Sequence, residues 1–186
     1  MGVFTMRNDD SDMKIMGDDY DLPEPKDDTQ ETARLLQREK ENGNLNRARQ
    51  LGALMAEEVS AVEGDFPAVE PALLTQRRIL LAFVVEVGFD AFLPNSILTE
   101  TAQSVFYETL QKDAGAFYED LQESGAFSFY FLCVREGRQV EEKVGETYAS
   151  LCGRPKDEAL AVEGRTLYER FIRRVQKFVD SMGFCW

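Results

Sequence analysis

The sequence predicts an all-α protein: a single-domain helical bundle of about six to eight helices with a central apolar helix, preceded by a mobile acidic N-terminal tail. Three observations carry this expectation. Apolar residues recur at helical spacing in nearly every segment after residue 28. The breaks between those segments are short and built from glycine, proline and asparagine. The one long apolar run is apolar almost all round, as a helix enclosed by others is.

Residues 1–28 contain NDDSD, GDDYD and LPEPKDD, with hardly any apolar clustering, so they cannot bury enough surface to offset the entropy of ordering them. They are expected to form a disordered acidic tail, with a helical domain over 29–186. Residues 1–31 hold ten acids against Arg7, Lys14 and Lys26, so about half of the chain's net charge of −13 sits in its first sixth.

Asp28 and Glu31 have the spacing of a capping box and open a helix over 29–41. Gly43 and Asn44 break it, and Leu45, Leu51, Leu54, Met55 and Val59 continue at helical spacing through Val62. These two segments form a helical hairpin. In its turn glycine, Gly43, followed by Leu45 and Ala48, the hairpin resembles tetratricopeptide helix pairs. Ser60 stands where the repeat's closing proline belongs, "GRPKDEAL" at 153–160 is one residue out of register, and an array needs about three repeats, so no family is assigned.

Pro71 suits the first position of a third helix, which runs to Phe92 through Ile79, Leu80, Leu81, Phe83, Val84 and Val85. "LPNS" ends it, and Asn95 or Ser96 caps a fourth helix. "AFSFYFLCV" at 126–134 suits a buried helix or a buried strand; helix is preferred because no second strand-like run is present to pair with it. A helix over 139–151, the break "CGRP" and a long helix over 156–182 complete the chain.

The fourth helix leads into an echo, FYETLQ at 106–111 repeated as FYEDLQ at 117–122. Eleven residues are close to three helical turns, so on one continuous helix Phe106, Leu110, Phe117 and Leu121 share an apolar seam. Glu108 and Glu119 would then lie about 16 Å apart at 1.5 Å per residue. Paired glycosidase carboxylates need roughly 5 to 9.5 Å. Only a break at Gly115 would bring the two together. The echo therefore reads as packing, with both glutamates on solvated faces.

Several chemistries are disfavoured. Histidine is absent, which removes the commonest general base and metal ligand. The three cysteines, Cys133, Cys152 and Cys185, form no CxxC pair and read as free thiols, with no metal and no cofactor expected. A net charge of −13 disfavours nucleic acid as a partner. The apolar run from Ile79 to Val85 is far short of the ~20 residues that cross a bilayer, so no membrane partner is expected. With no signal-like start, the expected location is the cytoplasm.

The last helix is amphipathic. Leu160, Leu167, Tyr168, Phe171, Val175, Phe178, Val179 and Met182 share one broad face, and Arg170, Arg173, Arg174 and Lys177 fall within an arc of roughly 100° opposite it. Guanidinium forks match planar anions, so these four are the candidate contacts for an anion or a partner. A solvated face, its positive charge favoured by the helix C-terminus, is the plainer meaning. The sequence thus points to a non-enzymatic helical domain acting through protein-protein contacts, self-association among them. A ligand-binding domain with an aromatic pocket around Phe127 and Tyr130, and an enzyme using carboxylates alone, are the two alternatives.

Overall fold

A computed structural model of the chain describes residues 28–61 and 70–185. The expected tail, the end of the second helix at Val62 and Trp186 lie outside the described residues, as does the Asp28 side chain of the capping box. The chain divides into two units, one ending at Leu35 and the other running from Leu36. In the first, the described part is the opening of helix α1 (Asp28–Glu41), and all that follows concerns the second.

Every element among the described residues is an α-helix: α2 (Asn44–Ser60), α3 (Pro71–Phe92), α4 (Ser96–Asp113), α5 (Gly115–Ser124), α6 (Ala126–Glu136), α7 (Val140–Leu151) and α8 (Glu158–Met182). Pro71 stands in the first turn of α3, where its missing N–H costs nothing. Asn95 caps α4, its side chain accepting from Leu98 N at 3.2 Å. Asp157 caps α8 by accepting from Ala159 N and Leu160 N. The long helix therefore begins at Glu158 and not at Lys156. Likewise α7 begins at Val140, because Gln139 takes a left-handed φ of 50°.

Helix α3 is the centre of the bundle. Every residue from Ile79 to Val85 is buried, and at about 1.5 to 3 kcal/mol for each large side chain this one stretch supplies a major share of the driving force. Helix α2 packs on α4, and α7 on α8, closely enough for backbones to touch. A Cβ on Gly52 would stand 2.3 Å from the Ala102 carbonyl oxygen, and one on Gly145 would stand 2.3 Å from that of Ala161. Only glycine permits either approach.

The echo falls on two helices. Ala114, at φ −141° and ψ 48°, separates α4 from α5, so the two copies do not lie on one continuous rod. The packing expectation stands nonetheless, since Phe106, Leu110, Phe117 and Leu121 are all buried while Glu108 and Glu119 are exposed. Tyr107 of the first copy donates its hydroxyl to Glu86 of α3 and meets Tyr118 of the second copy ring to ring at 6.4 Å. Burial raises the Glu86 pKa, the Tyr107 hydrogen bond opposes the rise, and the Asp90 charge adds to it.

The aromatic run is helical, as preferred, but it is not fully buried. Tyr130 is enclosed, stacked on Phe83 at 5.1 Å, whereas Phe129, Phe131 and Leu132 are 55%, 40% and 56% exposed. The backbone of Cys185 is held: Asn44, fully buried, donates to the Cys185 carbonyl at 2.8 Å and accepts from its N–H at 3.0 Å. The same amide donates to the buried Glu39 at 2.6 Å. Burial alone would raise the Glu39 pKa, but the hydrogen bonds from Asn44, Arg38 and Asn95 and the Arg38 charge bring it below the usual carboxylate value.

Candidate functional site: a basic cleft along the last helix

Helix α8 is held in rotation by its core face. Leu160, Tyr168, Phe171, Val175 and Val179 are buried, and Val175 sits directly against Gly88 of α3. A polar lock reinforces this orientation. Glu163 accepts from Arg77 of α3 at 2.6 Å and from the Tyr148 hydroxyl of α7 at 3.0 Å, so one carboxylate ties three helices together. Breaking such a pair by removing one partner leaves an uncompensated charge in poorly solvated surroundings.

With α8 fixed, its basic stripe lines a cleft of about 580 Å³. Arg170, Arg173, Arg174 and Lys177 all lie along it, with Leu167, Phe171, Phe178 and Ser181 of the same helix, Glu58 of α2 and Leu81 of α3. The floor is apolar and the wall cationic. The volume falls in the range of sites that enclose a small ligand or a few side chains of a partner.

The four cations are not equivalent. Arg174 pairs with Glu58, and its guanidinium stands 5.8 Å from the centre of the Phe178 ring. Arg173 folds back along the helix, donating to the Glu169 carbonyl at 2.8 Å and approaching the Glu169 carboxylate at 3.5 Å. Arg170 and Lys177 are exposed and form no ion pair among the described residues. The cleft thus already seats one carboxylate and keeps two cations, one about a turn to either side of Arg174, facing solvent.

The four residues singled out in the sequence are brought together. Their opposite number, Glu58, was not foreseen. It lies in a run of acids, Glu57–Glu58, and nothing local distinguishes it from a solvated pair. Glu163 left no clear signal either, since it stands one heptad before Arg170 and so on the same side of the helix as the basic stripe.

A second cleft, of about 390 Å³, opens where α4 breaks into α5 and is lined by Ser60, Arg78, Asp113 and Phe117 among others. Its arginine is already stacked, with the Arg78 guanidinium 4.2 Å above the Phe117 ring. Around Phe127 and Tyr130 the rings pack on one another: Phe83 meets Phe127 at 5.7 Å and Phe131 at 5.1 Å, both edge to face. Among the described residues no group of three or more histidine, cysteine or carboxylate side chains is placed to hold a metal ion, and no helix is long and apolar enough to cross a membrane. None of the three cysteines is in a disulfide, and Cys133 Sγ lies 3.3 Å from the Thr147 hydroxyl. Comparison with protein-family models, curated proteins and solved structures finds no match for the chain.

Proposed function

We propose that this protein is a non-enzymatic docking module of the cytoplasm, working through protein-protein contact, and that its basic cleft receives an acidic segment of a partner protein anchored by an apolar side chain. The observation that carries this reading is the joining of four cationic side chains to an apolar floor in one cleft. A purely solvated stripe needs no floor. A phosphate-only site would not need Leu81, Phe171 and Phe178 beneath it, whereas an acidic helix with a leucine or phenylalanine anchor satisfies both halves. Glu58 on Arg174 supplies an example of the preferred contact from within the chain itself. The net charge of −13 weighs against nucleic acid as the partner, and three free thiols support a reducing compartment.

The test uses a synthetic helix-forming peptide of about 20 residues, above the ~12–15 below which an isolated helix is marginal in water, with glutamates along one stripe beside leucines, and a control with every glutamate replaced by glutamine. The glutamate peptide should bind the full chain, measured by fluorescence anisotropy, and the glutamine control should bind at least tenfold more weakly. The double variant Arg170→Glu with Lys177→Glu, both on exposed positions, should keep its helical signal and lose most of the binding. Equal binding of the two peptides, or binding untouched by the double variant, would refute the reading.

A further inference from the structure

Helix α6 presents an apolar face that the basic cleft does not explain. At 100° per residue, Ser128 and Leu132 lie at the centre of its outer face, with Phe129 on one flank and Phe131 on the other. These three apolar side chains are 40% exposed or more, although Ala126, Tyr130 and Cys133 on the opposite face are buried. Phe131 is held in place, its ring edge-on to Phe83 at 5.1 Å and to Phe127 at 6.4 Å. The face is therefore a preformed apolar ridge on a short helix closed at each end by a left-handed glycine, Gly125 and Gly137.

Charge at the two ends of this helix differs in sign. Asp120 and Glu123 are exposed just before it, and Arg135 and Arg138 are exposed at its end and just beyond. None of these four forms an ion pair among the described residues, while Glu136, the acid between the two arginines, is paired with Lys143, and Glu141 and Glu142 follow in the first turn of α7. A surface with an acidic end, an apolar middle and a basic end is complementary to itself when one copy is reversed.

We propose that α6 is a self-association face on which a second copy of this chain docks, the two α6 helices running antiparallel about a two-fold axis. Phe129 of each copy then packs on Leu132 of the other when the two-fold axis passes between Tyr130 and Phe131, half a residue from the helix midpoint. The acidic end of each copy meets the basic end of the other, and the two helix dipoles oppose. Such a contact is isologous and closes on itself, giving a dimer and no fibre. A pair of 11-residue helices covers less than the roughly 800 Å² per partner of a standard interface, so the dimer is weak, with a dissociation constant on the order of tens of micromolar or weaker.

Sedimentation equilibrium of the full chain from about 1 μM to about 1 mM, the range in which weak complexes titrate, tests this directly. A monomer-dimer equilibrium is expected. Phe129→Glu and Leu132→Glu should each weaken it at least tenfold without loss of helical signal, because both positions are exposed in the monomer. Glu123→Lys and Arg138→Glu should each weaken it about two- to threefold, as rim charges do, and the two together in one chain should restore it. A chain that stays monomeric throughout, a dimer indifferent to Phe129→Glu, or a charge swap that fails to recover would each overturn the proposal. So would Leu132-dependent binding of a monomer to phosphatidylcholine vesicles, which would assign the face to a lipid surface.

Discussion

Helices α8 and α6 each give one face to the core, yet their outer faces have opposite chemistry. Helix α8 turns Arg170, Arg173, Arg174 and Lys177 outward, and α6 turns Phe129, Phe131 and Leu132 outward. The difference shows which exposed residues carry information. A cation on a surface is at home in water, so the α8 stripe gains meaning only from what lies beside it, the floor of Leu81, Phe171 and Phe178 and the carboxylate of Glu58. A phenylalanine or leucine left half exposed forgoes roughly half of the about 1.5 to 3 kcal/mol of full burial, so three of them on one short helix are notable without any neighbour.

The strongest way to break this comparison is to truncate one aromatic on each helix. Phe171→Ala in α8, removing a ring that is 8% exposed, should cost about 3 to 5 kcal/mol in urea unfolding. Phe129→Ala in α6, assayed at low protein concentration, should fall within about 0.5 kcal/mol of the parent, as surface substitutions do. Comparable losses at both sites would mean that the α6 face is buried in the monomer.

A gentler contrast adds one methyl group. Gly145→Ala forces a Cβ against the Ala161 carbonyl where α7 crosses α8, and should destabilise by about 1 to 3 kcal/mol, read as a lower urea midpoint at unchanged slope. Ser128→Ala, at an exposed position on the outer face of α6, should be nearly silent. Smaller still is the effect expected of Glu58→Gln, which frees Arg174 for a ligand: affinity for the glutamate peptide should rise about two- to fivefold, in line with the roughly 0 to 1 kcal/mol typical of surface pairs, although Glu58 is half-buried. Unchanged affinity would remove Arg174 from the docking contact.

Between pH 6 and pH 8 neither surface should respond at all. The chain has no histidine, the side chain whose ordinary pKa falls in that range. Peptide binding should weaken only as the pH falls toward about 4.3, where the glutamates of the probe take up protons and lose the charge that the cleft attracts. A midpoint near neutrality in an anisotropy titration would point to a titrating group that the cleft does not contain.

Much of this was legible locally. Helix α3 begins at Pro71 and ends before Leu93 because proline at each side sets its limits, and its all-round apolarity placed it at the centre. The faces of α8 followed from periodicity alone. What could not be read depends on partners distant in the chain. The outward turn of α6 arises because Phe83 and its neighbours leave room for only one side of the helix, and a run such as AFSFYFLCV shows no alternation that would announce it. Asn44 gave no sign that it would hold the backbone of Cys185, 141 positions away. Nor did Glu58 signal Arg174 on a helix more than a hundred residues later. The break at Ala114 is intermediate: Gly115 marked the place, but a lone glycine costs a helix only about 1 kcal/mol and did not decide it.

The central claim is that the two outer faces do different work, charge recognition on α8 and apolar self-association on α6. Amide chemical-shift mapping of the labelled full chain, titrated with the glutamate peptide at about 0.1 M and about 1 M salt, tests it most directly, because the screening length falls from about 10 Å to about 3 Å across that range. The peptide should shift amides around Leu167 to Ser181 and near Glu58 and Leu81, and these shifts should largely vanish at high salt. Amides of α6 should ignore the peptide and respond to protein concentration alone, at both salt levels. Peptide shifts that appear on α6, or that persist unchanged at high salt, would contradict the division.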